Sequence, residues 1–361
     1  MTSSRIRVRP GNKLTGTVNV PGAKNSVLKL MAACLMADGD FTLTNVPDID
    51  DVVTMSDLLS AIGLRIDHDK AKGYLAITNP GGLSLVAPYD LVERIRASIN
   101  VLGPLLGRFG EVRIALPGGD DFGSRPIDMH LNGLMQMGAE FTIRHGDVHA
   151  FADRLHGADI TLNFPSVGAT ENLITAAVFA KGATTIDNAA REPEIVDLCN
   201  MLVAMGASIE GSGSTTISIH GVERDALRPT THAVIPDRVQ AATYIAAAAI
   251  TGGEVLVRDA VPDHMEMLLR RFDDMGITVE PQHNGVLVVG PEKLKSIDVV
   301  TLPFPGVATD YKPLVVALLA VGDGVDRLQF FGTDDEHTIV LRFDVNTHVV
   351  ETPQEHFHVV R

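Results

Sequence analysis

Residues 37–47 read ADGDFTLTNVP: an apolar run ends, a glycine turns the chain, and an alternating stretch follows. Alternation with period two is the signature of a strand. The passage recurs as FGEVRIALPG (109–118), KGATTIDNAA (181–190), GGEVLVRDA (252–260) and GVDRLQFFG (324–332). Gly39, Gly110, Gly182, Gly253 and Gly324 therefore fall at intervals of 71 or 72 residues. A second comb lies between its teeth, with Gly63 in LLSAIGLRI, Gly138 in LMQMGAEF, Gly206 in LVAMGASI and Gly276 in FDDMGITV. The chain reads as about five copies of one unit roughly 70 residues long, too long for the usual solenoid periods. A compact α+β module, copied and packed around shared centres, is the expectation.

One copy can be read in detail. Residues 24–36 carry apolar residues at helical spacing, filled with Ala and Leu. Gly39 closes the connection, and 40–45 alternate as a strand. Residues 52–62 form a second helix with Gly63 at its left-handed C-terminal position. Residues 64–66 and 74–77 pair as a hairpin. With the strand before it, the unit is βαβαββ, which implies parallel strands joined by helices.

Three copies fill 21–228, and Pro229 with a strand at 232–235 opens another series, with copies near 236–298 and 303–361. A strand at 6–8 would complete the sheets of that second series. The expected fold class is α/β (α+β) in two lobes. One lobe is 21–229, with a mobile loop near 116–126. The other is 1–20 plus 230–361, incomplete at its carboxy-terminal end, where Asp344-Val345-Asn346 stands in place of the next glycine of the second comb.

Bulk properties narrow the function. The 361 residues suit two domains, and 45% hydrophobic content with no Trp predicts aliphatic cores. Cys34 and Cys199 sit in apolar helical runs and read as buried thiols of a reducing compartment. The first residues, MTSSRIRVRPGNKL, lack a signal-peptide core, and apolar runs such as 245–250 are too short to span a bilayer. A cytoplasmic protein that does not use membranes is expected. A net charge of −15 disfavours nucleic acid but leaves room for a small anion held by a few gathered cations.

Candidate chemistry lies at helix starts. Lys24-Asn25 follows Pro21-Gly22-Ala23, and a helix N-terminus with a Lys beside it attracts anions, although a capped surface helix reads the same way. Arg94-Ile95-Arg96-Ala97-Ser98 occupies the equivalent slot of the second copy, and Ser166-Val167-Gly168-Ala169-Thr170 that of the third. Three small or basic starts at equivalent positions point to one shared anion site. The loop LPGGDDFGSRP (116–126) carries glycines, Asp120, Asp121 and Arg125 ahead of Asp128 and His130. Such a loop can close over a ligand, its Arg clamping phosphate and its Asp moving a proton. Arg191 beside Glu192 reads as a lobe-bridging or structural pair, and Asp237 as a helix cap before Arg238. Thr309-Asp310 opens another helix, with Asp310 a cap or a base. The 13 His form no HExxH, and there is no Walker loop and no GxGxxG, so neither a metal nor a nucleotide cofactor is expected.

Taken together, GAKNSVLKLMAA (22–33), APYDLVERIRASINVLGPLLGRFG (87–110), ALPGGDDFGSRPIDMH (115–130), PSVGATEN (165–172), NAAREPEIVDLCNMLVAMGA (188–207) and LPFPGVATD (302–310) resemble the enolpyruvyl transferase family. The resemblance covers roughly residues 5–320 and implies an inside-out α/β barrel pair, three βαβαββ units to each lobe, of which this chain has about five of six. It implies transfer of the enolpyruvyl group of phosphoenolpyruvate to the 3′-hydroxyl of UDP-N-acetylglucosamine, through a tetrahedral intermediate that then loses phosphate. Carried over by motif, Lys24 binds phosphoenolpyruvate, Asn25 touches the amino sugar, and Arg96 and Arg125 hold phosphate or diphosphate. Arg125, Pro126, Ile127, Asp128 and Met129, with Ser166, Val167 and Gly168, cradle the uridine diphosphate. Asp310 takes the proton of the attacking hydroxyl, and Asp120 stands where many members carry a Cys, a known alternative in the family.

The family's last unit supplies an Arg and an Asp-Leu-Arg segment that no motif after residue 320 replaces. PDIDDV is acidic where relatives often carry Lys, and Asn100 replaces a common Trp. An unfinished lobe would expose an apolar seam, which either a homodimer covers or a marginally stable, truncated paralogue leaves open. Two further readings stay open on these residues: a transferase for another nucleotide acceptor, and a catalytically silent binding or regulatory paralogue.

Overall fold

The computed structural model describes residues 11–116, 127–144, 146–322, 325–330 and 337–342. The expected strand at 6–8, Asp120, Arg125 and Pro126 of the loop, and the tail beyond 342 lie outside them. The chain divides into two compact units, Pro21–Asp237 and Met1–Val20 with Arg238–Arg361. The first strand, β1 (Thr15–Asn19), belongs to the latter.

The unit Pro21–Asp237 contains three copies of the module. The first is α1 (Lys24–Ala33), β2 (Gly39–Thr44), α2 (Asp50–Ile62), β3 (Arg65–Asp69) and β4 (Tyr74–Asn79). The second is a short α3 (Tyr89–Val92), a 3-10 turn at Arg96–Val101, then α4 (Leu102–Phe109), β5 (Glu111–Ala115), α5 (Asp128–Gln136), β6 (Glu140–Arg144) and β7 (Asp147–Phe151). The third is β8 (Asp159–Thr161), α6 (Val167–Ala177), β9 (Ala183–Asp187), α7 (Pro193–Met205), β10 (Ser208–Glu210) and β11 (Thr216–His220), and β12 (Thr231–Ala233) follows. Three sheets result, in the orders β12-β2-β4-β3, β5-β7-β6 and β10-β11-β9-β8. In each, the strand after the comb glycine has a parallel neighbour on one side and an antiparallel one on the other. β2 lies between β12 and β4, β9 between β8 and β11, and β5 between β7 and a parallel bridge at Val86.

The unit containing Arg238–Arg361 repeats the rule. α8 (Arg238–Ile250), β13 (Glu254–Arg258), α9 (Glu266–Asp274), β14 (Thr278–Gln282) and β15 (Gly285–Val289) make one copy, in a sheet ordered β1-β13-β15-β14. β16 (Asp298–Thr301), a 3-10 turn at Thr309–Tyr311, α10 (Lys312–Leu319), β17 (Val325–Phe330) and β18 (His337–Arg342) give the sheet β16-β17-β18.

The comb glycines mark junctions with demanding backbones. Gly63 and Gly206 cap α2 and α7 at φ of 126° and 111°, a region that L side chains avoid. Gly253 is held by proximity instead, since a Cβ there would sit 2.0 Å from the Leu14 carbonyl oxygen.

Two local expectations are corrected. The strand expected at 232–235 to open the second lobe runs Thr231–Ala233 and pairs with β2, so the chain changes units at 237/238. The strand preceding the first copy, β1, pairs with β13, which leaves one edge of β2 to be covered by the returning chain. The second copy, expected to begin as an α-helix at 94–98, begins as the 3-10 turn at Arg96. Ser98 Oγ reaches back to the Val92 and Ile95 carbonyls, and α4 starts only beyond it, with Pro104 in its first turn where the missing N–H costs nothing.

The helices α1, α4 and α6 form the interior of their unit. Eight of the ten residues of α1 and nine of the eleven of α6 are buried, so these helices are enclosed on all faces rather than laid on a sheet. Glycines permit the close packing: a Cβ on Gly103 would meet Thr175 Oγ1 at 2.3 Å, and one on Gly107 the Ala176 carbonyl oxygen at 3.0 Å. Leu30, Met31, Met36, Phe41 and Phe179 are among the side chains of this core, while Phe272, Tyr311 and Leu318 belong to that of the other unit. Among the described residues no helix is long and apolar enough to cross a membrane.

Candidate functional site

The start of α1 is drawn in by glycine. A Cβ on Gly22 would lie 1.8 Å from the Asn45 carbonyl oxygen, so only glycine lets the chain pass. Ala23 N then donates to the Ile235 carbonyl at 2.7 Å, and Lys24 N to Asp237 Oδ2 at 3.0 Å. Asp237, which directly precedes α8, thus satisfies the first N–H of α1. Below this turn lies the buried Asp197 carboxylate, which accepts from Ser26 Oγ on one oxygen and approaches His232 Nε2 at 2.7 Å with the other. The Lys24 ammonium is half-exposed and lies 2.5 Å from Asp51 Oδ2. An exposed pair of this kind contributes little and exchanges readily for a ligand with more negative charge. Asn25 beside it is exposed.

A second group gathers at the start of α6. Ser166 is the N-cap, its Oγ accepting from Ala169 N at 3.4 Å, and Thr170 N donates to the Ser166 carbonyl. The N–H groups of Val167 and Gly168, first in the helix, have no partner within it and make an anion-binding terminus. His130, on α5, packs against this turn: a Cβ on Gly168 would lie 3.1 Å from His130 Cε1. His130 is buried, and burial, followed by the charge of Arg96, pushes its pKa down to about 4 while Asp128 opposes the shift. The structure therefore brings Arg96, Asp128 and Ser166–Gly168 around a neutral imidazole. The sequence reading noted His130 but gave it no role; its place directly after the loop was the available signal. Ile127 is buried, and Met129 lines a cavity of about 510 Å³ between α5 and β8 with Gly133, Ile160 and Leu162.

In the other unit, Asp310 lies in the turn before α10, with Oδ2 3.6 Å from Arg238 Nη2. Arg238 is buried at 4% exposure, donates to Tyr311 OH at 3.1 Å, and stacks 5.5 Å and 5.8 Å from the ring centroids of Tyr311 and Phe304. Aromatic faces and a planar cation attract, so the guanidinium is held rigidly. The Asp310 carboxylate, 46% exposed, is open to solvent beside it. Sequence reasoning missed Arg238 because its partners are about 70 residues away in the chain. Among the described residues no group of three His, Cys, Asp or Glu is arranged to hold a metal.

These helix starts are carried by repeated βαβαββ modules, an architecture that can be compared with known proteins. A family profile for EPSP synthase (3-phosphoshikimate 1-carboxyvinyltransferase) matches residues 8–343, and the chain belongs to this family of enolpyruvyl transferases. Among its relatives are the UDP-N-acetylglucosamine 1-carboxyvinyltransferases of Corynebacterium jeikeium and Mycolicibacterium paratuberculosis. The former is 47% identical over 353 residues, 93% of this chain and 84% of that protein. The latter is 50% identical over 328 residues, 90% of this chain and 77% of that protein. The enolpyruvyl transferase NikO from Streptomyces tendae shares the fold, with a TM-score of 0.79, 24% identity, and coverage of 89% of this chain and 76% of that one. An EPSP synthase from Acinetobacter baumannii does so at a TM-score of 0.68 and 23% identity, covering 89% and 74%. The fold class is thus the inside-out α/β architecture that the family resemblance implied, in keeping with the repeats.

Proposed function

We propose that the chain transfers the enolpyruvyl group of phosphoenolpyruvate to the 3′-hydroxyl of UDP-N-acetylglucosamine and releases phosphate, the first committed step of peptidoglycan synthesis, in the cytoplasm. The observation that carries this reading is the identity of about half of all positions, across 90% of the chain, with relatives named for that reaction. The geometry supports it. The amides of Val167 and Gly168, the Arg96 guanidinium and a neutral His130 make a donor-rich setting suited to a diphosphate. The cavity beside Met129 and Gly133, on the same helix α5 as His130, has room for a flat base.

In this reading the sugar 3′-oxygen adds to C2 of phosphoenolpyruvate while its proton passes to Asp310 and another proton reaches C3 from Asp120. Loss of phosphate from C2 and of a proton from C3 then restores the double bond. Lys24, freed from Asp51, and Arg125 hold the phosphoenolpyruvate anion, and Asn25 contacts the sugar. Incubation of the chain with both substrates should release phosphate, and omission of either should abolish release. Release without the sugar nucleotide would overturn the reading. Release only with a different nucleotide acceptor would move it to another substrate, and ligand binding without turnover to a silent paralogue.

A carboxylate is a far poorer nucleophile toward an epoxide than a thiolate, and residue 120 is Asp. Fosfomycin, which alkylates a Cys at this position in other members, should leave activity intact after prolonged incubation. A drug adduct on Asp120 in a mass spectrum would contradict this.

A further inference from the structure

We propose that Asn172 is a positioning residue that fixes His130 as a neutral imidazole with its proton on Nε2, turned toward the start of α6. Asn172 lies on α6, buried between α4 and α5. Its Oδ1 accepts from Gly103 N at 2.8 Å, and a backbone N–H can only donate, so the oxygen must face α4. Its Nδ2 lies 3.4 Å from the Gly168 carbonyl, which can only accept, so the opposite side is the amide nitrogen. Both neighbours exclude the flipped amide. The same Nδ2 is 3.0 Å from His130 Nδ1, which must therefore present a lone pair. The ring proton is left on Nε2.

The opposite ring edge is the one near the helix start. A Cβ on Gly168 would lie 3.1 Å from Cε1 and 3.4 Å from Nε2, so Nε2–H shares a side with the first amides of α6. Nε2–H then adds one more donor to the free amides of Val167 and Gly168. The other tautomer would turn a lone pair toward a bound phosphate oxygen, and a doubly protonated ring would lose its bond to the Asn172 amide. Burial opposes the second proton most strongly and Arg96 opposes it too, and together they outweigh Asp128, which favours it, keeping the ring neutral well below pH 7. Asn172 accordingly acts through His130 on acceptor binding, with no contact of its own to substrate required.

The kinetic part of this inference rests on the transferase reading; the tautomer does not. Nitrogen-15 NMR of the unliganded full chain, with His130 assigned by the loss of its signal in His130→Gln, should show a protonated Nε2 and an unprotonated Nδ1 at pH 7. A proton on Nδ1 would overturn the proposal whether or not the chain turns over substrate. In Asn172→Asp, the carboxylate still accepts from Gly103 N and now accepts from Nδ1–H as well. His130 should then carry both protons near neutrality and, as pH rises, lose the one on Nε2. The KM for UDP-N-acetylglucosamine should rise about tenfold between pH 6 and pH 8 in this variant and stay flat in the parent, the loss of one hydrogen bond to a charged group. An unchanged His130 spectrum with a parallel pH profile would sink the idea. Turnover absent from both proteins would count against the transferase reading, and the spectra would still decide the tautomer.

Discussion

Lys29→Met should destabilise the Pro21–Asp237 unit by about 3–5 kcal/mol, and Lys29→Met with Glu171→Met should restore most of the loss. Lys29 Nζ on α1 lies 2.7 Å from Glu171 Oε1 on α6, at side-chain exposures of 10% and 3%. Both charges are almost wholly removed from water, so their mutual attraction offsets a desolvation cost of similar size. Breaking the pair leaves that cost unopposed, whereas replacing both partners by unbranched apolar chains removes it. Burial already pushes the Glu171 pKa up to about 7 against the pull of Lys29, and Glu194 and Glu192 push the same way.

The sign of the pH dependence follows. Between the usual carboxylate range and pH 7 the folded chain holds a proton at Glu171 that the unfolded chain has released. This contribution to stability is therefore complete in acid and is lost as pH rises through 7. Removing the Lys29 charge extends the loss to higher pH, so the Lys29→Met deficit should be larger at pH 8 than at pH 6. Urea unfolding followed by far-ultraviolet circular dichroism suits a chain with no Trp. A deficit below about 1 kcal/mol at pH 8, the level of an exposed pair, would show that the pair is solvated.

The fold was legible because its decisive residues act locally. Gly63, Gly138, Gly206 and Gly276 all hold positive φ after a helix, and no other residue does this cheaply, so the spacing of the modules is written in glycine. What could not be read was which sheet edge a strand joins. The sequence 231–233 would suit either unit, and only the open edge of β2 decides. The site divides in the same way. Lys24, Ser166 and Gly168 stand at helix starts that sequence can mark. His130, Asn172 and Arg238 take their character from partners brought by other modules: Gly168 beside the His130 ring, Gly103 on the Asn172 oxygen, Tyr311 on the Arg238 guanidinium. Asp237 shows the limit of a local rule, since its residue type announces a cap but not the Lys24 N–H, distant in the chain, from which it accepts.

Asp310→Asn should lower kcat by about a hundredfold or more while leaving the KM for UDP-N-acetylglucosamine within a few-fold. A neutral amide keeps the shape of the carboxylate but cannot take the proton of the attacking hydroxyl. The substitution is structurally mild, because the side chain is 46% exposed and its charged neighbour, Arg238 Nη2, is 3.6 Å away, long for a strong bond. Arg238 keeps its place without Asp310, through the Tyr311 hydroxyl and the two aromatic faces. Folding stability should therefore change by less than about 1 kcal/mol, and any loss of rate belongs to chemistry. Arg238→Lys provides the complementary measurement. It keeps the charge but loses the planar stack and donor geometry, so the carboxylate loses its fixed neighbour. The rate should fall less than in Asp310→Asn, and the double variant should be no slower than Asp310→Asn alone, because a neighbour that orients a base has nothing to orient once the base is gone. Additive losses in the double variant would give Arg238 an independent part in the reaction, and Asp310→Asn turnover within tenfold of the parent would remove Asp310 from the role of base.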